Sequence, residues 1–234
     1  MQRLLVVGGT GYLGRHVVRA GLSSGLSVTS FSRSGKLPSG IEEAGLAGAE
    51  WMRGSAESKD DVAAAMKGVN AVVSCLGTPF GTPESILAIN GTYNEAITAA
   101  AAAAGVQRYV YVSAATFRPM ERLFPNSWGK YFEGKRIAEA AVASHFGSDG
   151  CVLKPGIIYT SNLAEARAQA ALGMSEAKMP NVVGAPMAML LASGPGQWAG
   201  KNLGEVGDLL TPPSNVEDVA AAAIAHVLGG ASTG

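Results

Sequence analysis

Tyr131 and Lys135 stand four residues apart in the segment Tyr131-Phe132-Glu133-Gly134-Lys135. On a helix that interval puts both side chains on one face. An ammonium close to a phenol favours the phenolate. A group that ordinarily titrates at about 10 can then give and take a proton near neutral pH. A second chemical feature opens the chain. Val6-Val7-Gly8-Gly9-Thr10-Gly11-Tyr12-Leu13-Gly14 follows the apolar run Leu4–Val7 and precedes a helical pattern from Arg15 to Leu22. A strand, a glycine-rich turn and a helix in that order form a phosphate cradle. Gly8 is suited to a backbone conformation that residues with a Cβ avoid. Gly11 lets the main chain approach a pyrophosphate, and Gly14 lets the helix pack close to the strand. The helix N-terminus adds unpaired N–H groups and partial positive charge. The stretch Gly8, Thr10, Gly11, Tyr12, Leu13 and Gly14 is therefore expected to hold a dinucleotide.

Which dinucleotide depends on the end of the second strand, Thr29-Ser30-Phe31-Ser32-Arg33-Ser34. An acidic residue there would accept hydrogen bonds from the adenosine ribose and select NAD. No Asp or Glu occurs between Gly14 and Glu42. A guanidinium at Arg33 with hydroxyls at Ser32 and Ser34 suits a 2′-phosphate. NADP is expected, with NAD as the alternative.

These residues need a scaffold. At 234 residues, a single domain is the default. The runs Leu4–Val7, Ser27–Phe31, Ala71–Cys75, Tyr109–Val112 and Cys151–Leu153 read as strands buried on both faces. Arg15–Ser23, Lys59–Lys67, Tyr93–Ala104, Tyr131–Ser144 and Val216–Leu228 read as helices. Gly105 sits where a helix C-terminus favours glycine, and Ser214-Asn215-Val216-Glu217 has capping-box spacing. The alternation predicts an α/β fold, a doubly wound parallel sheet of Rossmann type. Residues 163–210, rich in Gly, Met and Pro, are expected to form a small C-terminal cap over the strand ends.

Eighteen basic and eighteen acidic residues cancel, which argues against a general nucleic-acid binder or a polybasic membrane binder. The two cysteines, Cys75 and Cys151, lie in apolar runs, so buried reduced thiols are expected. No zinc-type Cys/His spacing is present, and no metal is expected. The apolar stretch Val182 to Ala192 is too short to span a bilayer. A transmembrane segment and a signal peptide are both unexpected.

The Gly-x-x-Gly-x-x-Gly spacing, Ser32-Arg33-Ser34, Asn90-Gly91, Tyr131-x-x-x-Lys135-Arg136 and Asn215-Val216-Glu217-Asp218 resemble the extended and atypical short-chain dehydrogenases/reductases. The resemblance covers nearly the whole chain outside Leu163–Leu210. It implies an NADP preference, with Tyr131 as catalytic acid–base and Lys135 holding both the phenol and the nicotinamide ribose. It implies that Leu76 and Gly77 run along the cofactor, that Asn90 supports the site, and that Lys154-Pro155-Gly156 forms a turn beside it. Two departures stand out. The strand at Trp51 ends Arg53-Gly54-Ser55, leaving Ser55 where the family has a carboxylate for adenine. The hydroxyl that polarises the substrate carbonyl is replaced by Ala114 and Ala115, leaving Ser113 or Thr116 as stand-ins. A cap is the other reading of Asn90, since asparagine favours helix starts.

The combination looks like an organellar branch. It includes plant plastid proteins and a protein linked to mitochondrial coenzyme Q biosynthesis, with an accessory subunit of respiratory complex I more distant. The resemblance therefore implies a mitochondrial or plastid protein, soluble or peripheral, the cytoplasm being the alternative. It supports an oxidoreductase on a carbonyl, quinone-linked or isoprenoid substrate. Its alternative is a nucleotide-binding accessory subunit or assembly factor of an organellar complex. The methionines Met174, Met179, Met187 and Met189 suit an apolar lid, a partner surface or plain core filling.

Overall fold

Alternate residues of the first strand enter opposite halves of the core. Leu4 and Val6 face one cluster, Leu5 and Val7 the other, and all four are buried. The computed structural model describes residues 1–37, 45–160, 162, 187, 189–202, 208 and 211–229. Its main sheet has six parallel strands: β1 (Arg3–Val7), β2 (Ser27–Ser32), β3 (Glu50–Arg53), β4 (Ala71–Ser74), β5 (Arg108–Val112) and β6 (Gly150–Leu153). Their order is β3-β2-β1-β4-β5-β6. This is the doubly wound Rossmann arrangement, and its strand order reverses between β1 and β4. The crevice at that reversal is where such sheets take ligands.

Helices cover both faces. On one side α1 (Tyr12–Ser23) packs against the last helix, α8 (Val216–Val227), through Val17, Val18, Ala220, Ala223 and Ile224. On the other lie α2 (Lys59–Ala65), α4 (Tyr93–Ala103) and α6 (Lys130–Phe146), whose Val62, Ile97, Ala101, Ala138 and Val142 meet Val72, Tyr109 and Tyr111 of the sheet. Short helices α3 (Pro83–Leu87) and α5 (Arg118–Leu123) precede the longer ones, and α7 (Gly194–Asn202) lies late in the chain. A small parallel pair, β7 (Ile158–Tyr159) with β8 (Ser214–Asn215), joins two distant segments.

Several boundaries differ from expectation for local reasons. Helix α1 begins at Tyr12 rather than Arg15, because Gly11 takes the extended conformation of an N-cap and the glycine turn ends there. Gly105 does end α4: at φ +74° it follows Ala104, and the Val106 N–H returns to the Ala101 carbonyl at 3.0 Å, a Schellman closure. The last helix is capped by Asn215, whose Oδ1 accepts from the Glu217 N–H at 2.7 Å. The expected capping residue, Ser214, instead accepts from the Gly156 N–H at 3.2 Å. Most of 163–210 lies outside the described residues, including Met174 and Met179; Met187 and Met189 are exposed. Asp208 is anchored to Arg118 by a two-pronged ion pair, with Nε to Oδ2 at 2.6 Å and Nη2 to Oδ1 at 3.0 Å. Among the described residues no helix is long and apolar enough to cross a membrane, and no cluster could hold a metal ion. Cys75 and Cys151 are half-buried and not joined in a disulfide.

Candidate functional site

The glycine turn has the shape a pyrophosphate requires. Gly8 adopts φ +78°. A Cβ on Gly14 would collide with the Gly8 carbonyl oxygen, and one on Gly9 would press on Ser30 Cβ at 2.9 Å. A Cβ on Gly11 would meet only the Gly8 carbonyl, at 3.2 Å, and otherwise project into open space. No side chain caps α1 and its first turn holds no acid. The Leu13 and Gly14 N–H groups thus have no carbonyl within the helix to bond. These features fit a dinucleotide. Tyr12 and Leu13 are buried in the core, Tyr12 edge-on to His16 at 5.5 Å, so these positions face a ligand through the main chain alone. The Thr10 carbonyl is fixed by the Nη1 of buried Arg15 at 3.0 Å.

Beyond β2, Ser32 Oγ accepts from the Gly35 N–H at 3.2 Å and Ser34 Oγ donates to the Lys36 carbonyl at 2.9 Å. These bonds close a tight turn that leaves Arg33 exposed at the C-terminal edge. Ser55 follows β3. Its N–H donates to Asp61 at 2.8 Å and its Oγ accepts from the Glu57 N–H at 3.2 Å.

The second half of the site is a buried polar knot. Lys135 is 4 % exposed. Its Nζ donates to the Val112 carbonyl at 3.0 Å and lies 4.8 Å from the Tyr111 ring centre and 5.4 Å from that of Tyr131. The same Nζ is 2.8 Å from where a Cβ on Gly77 would stand. Gly77 is required there because the lysine occupies its side-chain space. Burial lowers the Lys135 pKa to about 8, opposed by the charges of Cys75 and Glu139. Burial pushes the Tyr111 phenol well above its usual range, with the nearby Tyr131 second, so Tyr111 stays protonated and donates to the Asn90 carbonyl at 3.1 Å. Tyr131 is packed between Trp128 and Phe132, with ring centres at 5.6 and 5.1 Å.

Asn90 is not a helix cap. It sits in a π-turn, Ala88–Thr92, between α3 and α4, where a widened turn frees main-chain groups. Its Nδ2 donates to the Thr78 and Ile86 carbonyls, each at 2.7 Å, and its Oδ1 accepts from the Thr78 N–H at 3.1 Å. It thereby fastens the loop after β4, which carries Leu76 and Gly77, to the helix. Asn94, which sequence reading missed, completes the latch. Its Nδ2 donates to the Leu76 carbonyl at 3.2 Å, and its Oδ1 accepts from Ser74 at 2.6 Å. The fourth-residue spacing from Asn90 was the available signal.

The expected carbonyl-polarising hydroxyl is engaged elsewhere. Ser113 is buried, and its Oγ donates to Glu139 Oε1 at 2.5 Å. The other carboxylate oxygen holds Lys154 Nζ at 2.6 Å. A hydroxyl that donates to a carboxylate has no proton left for a substrate carbonyl. Thr116 is exposed and lies beyond the Ala115 N–H, which donates to the buried Pro155 carbonyl at 2.8 Å. Pro155 thus serves as a turn that ties the tails of β5 and β6. Glu139 was also missed, although it stands four residues after Lys135 on the same helical face.

A dinucleotide-binding α/β protein is the class that this sheet, cradle and crevice define. The family model described as NAD(P)H-binding matches residues 8–178, and the chain belongs to that family. It is 32% identical over 227 residues to an uncharacterized chloroplastic protein of Arabidopsis thaliana, covering 95% of this chain and 70% of the relative. A shorter match, 38% over 82 residues, joins it to an isoflavone reductase homolog of Zea mays, 26% of whose length is covered. Among solved structures it is similar to a short-chain dehydrogenase/reductase superfamily protein of Agrobacterium tumefaciens with bound NAD. That likeness has a TM-score of 0.58 at 22% identity, over 95% of this chain and 73% of that one. It is also similar to a short-chain dehydrogenase/reductase family oxidoreductase of Burkholderia thailandensis, with a TM-score of 0.57 at 19% identity over 97% and 85% of the two chains. At such identities the likeness is one of fold.

Proposed function

We propose that this protein is an NADP(H)-dependent oxidoreductase of short-chain dehydrogenase/reductase type, acting on the carbonyl of an apolar substrate of quinone-linked or isoprenoid class. The observation that carries the reading is the place of Lys135. Its ammonium is wedged between Gly77, on the loop at the strand-order reversal, and the Tyr131 ring. In this reading Gly8, Thr10, Gly11, Tyr12, Leu13 and Gly14 hold the pyrophosphate through main-chain groups. Ser32, Arg33 and Ser34 take the 2′-phosphate, and Ser55 takes the adenine. Leu76, Gly77 and Pro155 line the nicotinamide half, and Asn90 positions them through Thr78. The bound cofactor supplies hydride. Tyr131 gives its phenolic proton to the carbonyl oxygen, and Lys135 favours the phenolate left behind while bonding the ribose. Trp128 and Phe132 shield the phenol from water. Exposed Phe80 on the loop after β4, and Leu123 and Phe124 at the end of α5, favour an apolar substrate, with residues 163–210 as its cap. The chloroplastic Arabidopsis relative favours a plastid location.

A second reading, a nucleotide-binding accessory subunit or assembly factor, is favoured by one observation: Ser113 is committed to Glu139 and followed by Ala114 and Ala115. Tyr131→Phe separates the two. NADPH oxidation against a panel of quinones and isoprenoid carbonyls should fall by roughly 10²–10⁴ in kcat, with NADPH affinity by calorimetry unchanged. Equal turnover in wild type and Tyr131→Phe would leave only the accessory role.

A further inference from the structure

The structure brings a second arginine to the adenosine end. Arg53 ends β3 directly beside Ser32, its register partner across the parallel pair. The Gly54 N–H donates to the Ser32 carbonyl at 3.0 Å, fixing the two strand ends together. The turn after β2 then folds onto Arg53. Gly35, at φ +61°, sits where a Cβ would lie 2.6 Å from Arg53 Cβ and 2.7 Å from its nitrogen. Arg33 stands on that turn, one residue after the register partner of Arg53. Both are exposed, as is Lys36, and none of the three has an ion-pair partner among the described residues. Two carboxylates of this edge have other partners: Glu50 accepts from the Thr29 hydroxyl at 3.0 Å, and Asp61 accepts from the Ser55 N–H at 2.8 Å. Exposed cations at neighbouring strand ends, with no ion pair among the described residues, suit an anion, and guanidinium is the group whose fork matches a phosphate.

We propose that Arg53 is a specificity-determining residue that grips the adenosine 2′-phosphate together with Arg33. The proposal rests on the NADP reading above, and it assigns selection of the phosphate to two strands instead of one. Two guanidiniums can straddle a dianionic phosphate from opposite sides, which the single arginine at the end of β2 cannot do. Lys36 adds charge to the surroundings, but its backbone is held by Ser34.

The test is calorimetric titration of 2′,5′-ADP and 5′-AMP into the wild-type chain, Arg33→Gln, Arg53→Gln and Arg53→Lys, with each melt recorded. Glutamine keeps the aliphatic stem that packs under Gly35, so the fold should be unaffected. Loss of one charge-assisted contact should weaken 2′,5′-ADP by about tenfold or more in Arg53→Gln, leave 5′-AMP unchanged, and be partly restored in Arg53→Lys. If Arg53→Gln binds 2′,5′-ADP like the wild type while Arg33→Gln does not, Arg53 has no such role and the NADP reading survives. Equal weakening of both nucleotides would make Arg53 a structural residue and overturn the proposal. If the wild type fails to prefer 2′,5′-ADP, the proposal and the NADP reading fall together.

Discussion

Lys135 shows how one buried charge ties stability to chemistry. Its pKa is lowered from 10.5 to about 8 by burial. At pH 7 the lysine is charged in both states, so desolvation weakens the fold throughout that range. Above about pH 8 the folded chain gives up the proton, while the unfolded chain holds it until about 10.5. Unfolding then takes up a proton, and stability should rise with pH across that window. The rise should be absent from Lys135→Met, and denaturant titration from pH 7 to 10 measures it, with a slope of at most about 1.4 kcal/mol per pH unit. A reaction needing the ammonium should lose rate over the same interval. Ser113 makes the opposite kind of statement. Ser113→Ala should leave turnover nearly unchanged but lower stability by about 1–3 kcal/mol, because half of the Glu139 carboxylate loses its partner. A large fall in kcat without destabilisation would mean that the hydroxyl serves a substrate after all.

At the scale of elements, the site is assembled where two glycines let helices touch. A Cβ on Gly134 would stand 2.8 Å from Asn90 Cβ and 2.9 Å from the Gly91 nitrogen. The middle of the Tyr131–Lys135 motif is thus in direct contact with the π-turn that carries Asn90. Alanine is a better helix former than glycine by about 1 kcal/mol, yet Gly134→Ala should destabilise the protein by roughly 1–3 kcal/mol of overpacking. Thermal denaturation should show a fall of several degrees, and kcat/KM should drop as Lys135 is displaced. Elements with strong local signatures were legible in the sequence: the glycine cradle, the continuous apolar strands, the Ala-rich helix closed by Gly105. The strand β3 was less so, since Glu50 and Arg53 at its ends are exposed at a sheet edge and leave only Trp51 and Met52 between them. Asn90 could also be read as a cap because its partner Thr78 lies on a loop that only the fold brings near. Ser113 looked available because its acceptor lies 26 residues away.

For the whole molecule, the small pairing of β7 with β8 has a consequence for chain economy. Gly156 packs under Pro212, and Tyr159 runs alongside Asn215, so the pairing fastens two segments that are more than fifty positions apart in sequence. A chain that joins two such neighbours closes a loop. The entropy of closing it grows only as the logarithm of its length, about 0.6 kcal/mol for each doubling. The surface ion pair of Arg118 with Asp208, whose arginine is 47% exposed, adds less than about 1 kcal/mol. Replacing residues 161–210 by a short glycine–serine linker should therefore leave the α1–α8 contact, the melting temperature and NADPH binding close to those of the full chain, and the proposed cap role adds that substrate turnover is abolished. Circular dichroism melts and cofactor titration of the shortened chain check this. A lineage of such proteins could exchange the sequence between β7 and β8, and on the proposed cap role the substrate with it, without renegotiating the body that holds the dinucleotide.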